Sequence, residues 1–142
     1  MRSDTPLVST LTRDLVFSYA SLISAWSNLS EAELTRKGTV GAWSFKDALG
    51  HVAAWDLWLV ETIPRRLAGE VLTPEQRRAL DDRDAWNADQ VALRDHFTRA
   101  EQQRESAQTM GAVLQLVRTL GDAVLARPDP WPSWERTTSM PP

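Results

Sequence analysis

Asp47 and His51 are the residue pair best placed to do chemistry together, because they stand four positions apart. On a helix that spacing puts both on one face. A carboxylate and an imidazole so arranged can share a divalent metal ion, or the acid can orient the imidazole as a base. Asp47 also has a structural reading, which carries the greater weight. It follows Ser44 by three, where a carboxylate reaches back to a helix start and faces the positive end of the helix dipole. His51 falls about 90° from the centre of the apolar stripe of its helix at 3.6 residues per turn. Trp55, Trp58 and Thr62 share that flank. A histidine among indoles at the edge of a core suits a pocket rim with Trp55, Trp58 and Asp47 as its walls. A boundary histidine satisfied by water or a carbonyl suits it equally. The second histidine, His96, lies beside Phe97 in a charged stretch and reads as surface.

Other chemistries find no carriers. The chain has no cysteine, so disulfides, a thiolate nucleophile and cysteine-ligated metals are excluded. No serine stands in a nucleophile-elbow context, and there is no glycine-rich phosphate loop.

The elements that must position these residues are helical almost throughout. Leu11, Leu15, Tyr19, Leu22, Trp26 and Leu29 form one stripe at spacings of three and four, with Ser9 or Thr10 as its cap. Ser30 and Glu33 make a capping box for a short helix, and Gly38 and Gly41 mark a loop. Residues 44–67 form the central helix, with Phe45, Ala48, Leu49, Val52, Trp55, Leu59 and Ile63 as its core stripe. Pro64 should kink or end it, and Gly69 should stop it. Thr73 and Pro74 open a further short turn. The acidic run at residues 81–84 can cap a helix carrying Trp86, Val91, Leu93 and Phe97. Charges at residues 99–105 read as a solvated face or a break. Ser106 then caps a last segment striped by Met110, Val113, Leu114, Val117 and Leu120. No stretch alternates like a strand.

At 142 residues the chain fits one domain, and a hydrophobic content of 42% supplies a core. The expected division is a helical bundle at residues 1–127 and a proline-rich tail at 128–142. That tail holds five of the eight prolines, together with Trp131 and Trp134. A net charge of -3 with no basic stripe argues against nucleic acid. No apolar run approaches the roughly 20 residues of a membrane span, and the N-terminus is no signal peptide, so we expect a cytoplasmic protein.

The run Gly41, Ala42, Trp43, Ser44, Phe45, Lys46, Asp47, Ala48, Leu49, Gly50, His51, Val52, Ala53, Ala54, Trp55, Asp56 resembles the DinB-like superfamily. Within it the run is most similar to the ClbS/DfsB-type four-helix bundle proteins. These show a tryptophan-serine helix start, a lysine-aspartate pair, a histidine, then tryptophan followed by an acid. The likeness extends over the first helix and through Asp84, Ala85, Trp86 and Asn87. It implies an all-α, up-down bundle with a small-molecule pocket at one end. In many such proteins three histidines there hold a divalent metal (zinc, nickel or iron). One comes from the second helix and two, four apart, from the last. His51 matches the first; the others have no counterpart, so the metal site is partial and the bundle is incomplete at its C-terminus. Some members act as thiol-dependent transferases or isomerases, and ClbS-type members hydrolyse a reactive cyclopropane-bearing product. The resemblance thus implies a hydrolase or transferase acting on a reactive small molecule. The alternative is a degenerate, non-catalytic bundle acting as an interaction module. A missing helix would leave an apolar groove, which points to homo-oligomerisation or to cover by the tail.

Overall fold

The computed structural model describes residues 6–127. The proline-rich segment, with Trp131 and Trp134, lies outside the described residues. Six helices follow one another: α1 (Leu7–Ser27), α2 (Glu31–Thr35), α3 (Phe45–Leu67), α4 (Pro74–Asp81), α5 (Arg83–Leu93) and α6 (Arg99–Leu125). Among the described residues there is no strand, only an isolated bridge between Val40 and Trp43. The fold class is all-α, as expected. No helix among the described residues is long and apolar enough to cross a membrane.

Short-range signals set most helix starts. Ser30, Ser44 and Thr73 each accept from the N–H three residues on, and Glu33, Asp47 and Gln76 return the bond, so α2, α3 and α4 all begin with a capping box. Pro64 does not end α3. It sits in the final turn, and the helix runs on to Leu67 before Gly69 takes a left-handed φ of 80° that few other residues adopt.

Two starts differ from expectation. α1 begins at Leu7, ahead of Ser9 and Thr10, because its end is closed from another helix: the Val8 N–H donates to Asp122 Oδ1 of α6 at 2.8 Å. The longest helix, α6, begins at Arg99 rather than Ser106. Thr98 is its cap, accepting from the Glu101 N–H, and the charged stretch 99–105 forms its first turns. Ser106 is instead a buried residue within that helix. A kink at Gly121 (φ 75°) bends its C-terminal end.

α6 packs against both α3 and α1, and α3 also rests on α5 and α2. Two core clusters follow. Trp26, Leu34 and Leu49, with Leu22, Leu29 and Phe45, join α1, α2 and α3. Ala54, Trp58, Ala79 and Trp86, with Trp55, Leu59 and Leu80, join α3, α4 and α5.

The buried face of α3 is not the expected stripe. Lys46, Asp47, Gly50, Ala53, Ala54, Trp58 and Thr62 are buried with Leu49. Val52 is 44% exposed, while Trp55, Leu59 and Ile63 are half-buried. Neighbours pack on the small and polar side of the helix, and the most apolar side is partly open.

Candidate functional site

The first turns of α3 form a tight polar knot. Asp47 Oδ2 accepts from the Ser44 N–H at 3.0 Å and from Lys37 Nζ at 2.5 Å. Burial alone would raise the Asp47 carboxyl; the bonds from Lys37 and Ser44 outweigh it and hold the group below the usual carboxylate range. Lys46, itself buried, donates to the carbonyls of Arg94 at 3.0 Å and Asp95 at 3.2 Å. Its charge therefore sits at the negative, C-terminal end of α5. Arg94 Nε donates to Glu105 Oε1 at 2.7 Å, and Gln102 Nε2 donates to the same oxygen at 3.0 Å. Gly50 lets this cluster approach. A Cβ there would stand 2.8 Å from Gln102 Oε1 and 3.0 Å from Arg94 Cδ. Lys46 and Asp47 thus tie the start of α3 to the end of α5 and to the loop before α3, and Arg94 carries the link on to α6.

His51 is half-buried one turn further on, and its ring lies 4.8 Å from that of Trp43. Its Nδ1 is buried without a partner among the described residues, and burial lowers its pKa, which favours the neutral imidazole. Trp55 is turned to other indoles, at 5.4 Å from Trp58 and 4.6 Å from Trp86. Its Nε1 donates to Asn87 Oδ1 at 2.9 Å, and Trp58 Nε1 donates to the Gln76 carbonyl at 3.0 Å. Trp58 and Trp86 also line a shallow cleft of about 140 Å³ with Glu61, Glu75 and Gln90. His51 thus has Trp43 as its aromatic neighbour, while Trp55 and Trp58 belong to the α3–α4–α5 core. His96 rests edge-on against Phe97 at the α5–α6 turn.

A second cavity, of about 130 Å³, opens between α1, α3 and α6. Leu22, Leu49, Val52, Ala53 and Met110 make most of its wall. Into this apolar lining come Asp56, Tyr19, Ser106 and Thr109. Burial pushes the Asp56 carboxyl up to about 6, with no hydrogen bond or ion pair to offset it. Burial likewise raises the Tyr19 hydroxyl. Ser106 is 5% exposed and its Oγ has no hydrogen-bond partner among the described residues. Buried polar groups are normally partnered, so the unpartnered Ser106 hydroxyl, beside a carboxyl raised by burial, marks this cavity as the candidate binding site.

A bundle organised on α3, with a capped tryptophan-serine start and a histidine inside it, is what the sequence resemblance implied. The family model of the DinB superfamily matches residues 14–141. The chain belongs to the DinB superfamily. No curated protein and no solved structure matches it.

The three-histidine metal centre of many DinB proteins does not fit the residues present. Among the described residues no three of histidine, cysteine, aspartate and glutamate come together, and Asp47 is already bound by Lys37 and Ser44. His51 alone does not hold a divalent ion.

Sequence reasoning overlooked the cavity residues of this DinB chain. Periodicity places Tyr19 in a core stripe, capping preference makes Ser106 a cap, and Asp56 enters only through the family motif. One signal was available. Asp56 lies four after Val52 and three before Leu59, so an acid occupies the apolar sector of α3.

Proposed function

We propose that this DinB-superfamily protein binds a small molecule in the cavity between α1, α3 and α6 and acts on it by hydrolysis or group transfer. The observation that carries the reading is the buried, unpartnered Ser106 hydroxyl in a largely apolar cavity that also takes in the half-buried Asp56 and Tyr19. The similarity of residues 43–56 to ClbS/DfsB-type members favours a reactive small molecule as substrate. On this reading the protein works in the cytoplasm, without nucleic acid.

Val52 lines the cavity and is 44% exposed, so a larger side chain there can close the mouth without entering the core. Ligand-observed NMR with a library of small fragments should find compounds that bind the wild type and not Val52→Trp, whose helical circular dichroism is unchanged. Finding no compound that distinguishes the two would overturn the reading.

Zinc, nickel or iron bound at His51 would draw its other ligands from outside the described residues or from another copy. Metal analysis of protein purified without added metal tests this. Stoichiometric metal lost in His51→Ala supports it; metal-free wild type refutes it.

The open side of α3 favours a second reading, a non-catalytic interaction or homo-oligomerisation module. Val52, at 44% exposure, leaves apolar surface there that no described residue fully covers. Light scattering decides this one: a concentration-dependent rise in mass supports it, and a monomer at high concentration excludes it.

A further inference from the structure

Asp56 poses a question that the bundle does not answer from its own residues. A carboxylate in an apolar cavity needs a counter-charge or hydrogen-bond donors, and among the described residues Asp56 makes no ion pair and no hydrogen bond. The groups facing it are few. From α1 come Ser18 and Tyr19, and from α6 come Ser106, Thr109 and Met110; no lysine, arginine or histidine lines the cavity. Tyr19 is the only other titratable group there, and burial keeps its hydroxyl neutral. The hydroxyls of Tyr19 and Ser106 make no described hydrogen bond, and each has lone pairs to offer. Thr109 Oγ1 uses its proton on the Ser106 carbonyl at 3.3 Å, so its oxygen can also accept. The polar wall of the cavity is thus one carboxylate and a set of hydroxyls that can accept from a ligand, with no cationic side chain among the described residues that line it. The rest is hydrocarbon.

The geometry points to a ligand that carries an alkylammonium group on a compact apolar body. Asp56 is its counter-ion, and the Ser106 hydroxyl accepts one of its N–H bonds. This inference rests on the small-molecule reading above and names the chemical class that the cavity selects. The volume of about 130 Å³ sets the size. Cavities of about 150 Å³ hold a benzene-sized molecule, so a five- or six-membered carbocycle with one amino group is the natural scale. An anionic ligand is disfavoured by repulsion from Asp56. A neutral alcohol of the same shape gains the hydrocarbon contacts but lacks the ion pair.

The test uses the full chain and three probes of one shape: cyclopentylammonium, cyclopentanol and cyclopentanecarboxylate, each titrated by calorimetry and by ligand-observed NMR. The expected order is amine far above alcohol, with no binding of the carboxylate. The amine stays protonated across the accessible range, so its affinity follows the charge of Asp56. With that group titrating near 6, binding should tighten about tenfold between about pH 5 and about pH 7.5, while the alcohol shows no such change. Asp56→Asn should remove the pH dependence and weaken the amine at least tenfold without weakening the alcohol. Ser106→Ala, which deletes an unpartnered hydroxyl, should weaken the amine several-fold with the fold intact. Equal binding of amine and alcohol to the wild type, or amine binding that survives Asp56→Asn, overturns the inference while leaving a small-molecule site in place. If no probe and no fragment binds, the broader reading falls with it.

Discussion

Two aspartates on one helix, Asp47 and Asp56, have opposite surroundings. Asp47 is held by an ammonium group and a backbone N–H, in a knot where Lys46, Arg94 and Glu105 also find partners. Gln102 Oε1 is the one atom of that knot left unpartnered. Asp56, little more than two turns on, stands in an apolar cavity with nothing to bind. The first arrangement stabilises the fold, because removing one partner of a buried, bonded charge strands the others. The second works against the fold, because ionising Asp56 in the folded state costs free energy. Polar residues kept at a cost to stability are what a binding site requires, whereas polar residues that are satisfied need no ligand to explain them.

Breaking the knot should have the largest effect. Asp47→Ala strands the buried Ser44 N–H and removes a capping box, and we expect a loss of about 2 kcal/mol in urea unfolding. The pH dependence has a definite sign. The folded carboxyl lies below its unfolded value, so this stabilisation is present at neutral pH and fades as pH drops below the usual carboxylate range. A wild-type and Asp47→Ala pair that differ as much at about pH 2 as at pH 7 would contradict the assignment. Next comes Gly50→Ala, whose new methyl group meets Gln102 and Arg94. It should cost about 2 kcal/mol, read as a lowered melting temperature. If Gly50→Ala proves neutral, the knot is looser than these distances imply.

Asp56→Asn sharpens the comparison because its sign is reversed. The folded carboxyl titrates near 6, above the ordinary 3.8, so stability falls as pH rises across that window. The amide escapes that cost. Solvent screening at this half-exposed site reduces the cost, so the amide should unfold at higher urea by on the order of 1 kcal/mol at about pH 7.5 and nearly match the wild type at about pH 4. A destabilised Asp56→Asn would mean the carboxylate has a partner after all. The smallest effect is reserved for Ser106→Ala. Losing an unpartnered hydroxyl should change stability by less than about 0.5 kcal/mol, so a large loss would show that the hydroxyl is bonded within the fold.

Much of this was legible because it is local. Ser30, Ser44 and Thr73 announce their helices through residues three positions away, and the run from Gly41 to Asp56 carries the family likeness in its residue order alone. What could not be read were effects that arrive from distant parts of the chain. Val8 is capped by Asp122 of α6, so no residue near the start of α1 marks where it begins. Ser106 has the chemistry of a cap, yet Thr98 takes that role, and nothing local distinguishes two hydroxyl residues near one helix.

The sequence by itself determined that this is an all-helical DinB-superfamily chain and where most of its helices start. Those properties depend on hydrophobic period and capping, which act within a few residues. Only the tertiary structure decided which face of α3 is buried. Periodicity favoured Val52 and its neighbours, but Lys46 and Asp47 could be buried once Arg94, Asp95 and Lys37 supplied their partners. Gly50, Ala53 and Ala54 were small enough to let other helices close in. That rotation left Asp56 half-buried at the wall of a cavity. A side chain's surroundings are set by what packs against it, and α1 and α6 reach α3 from the two ends of the described chain.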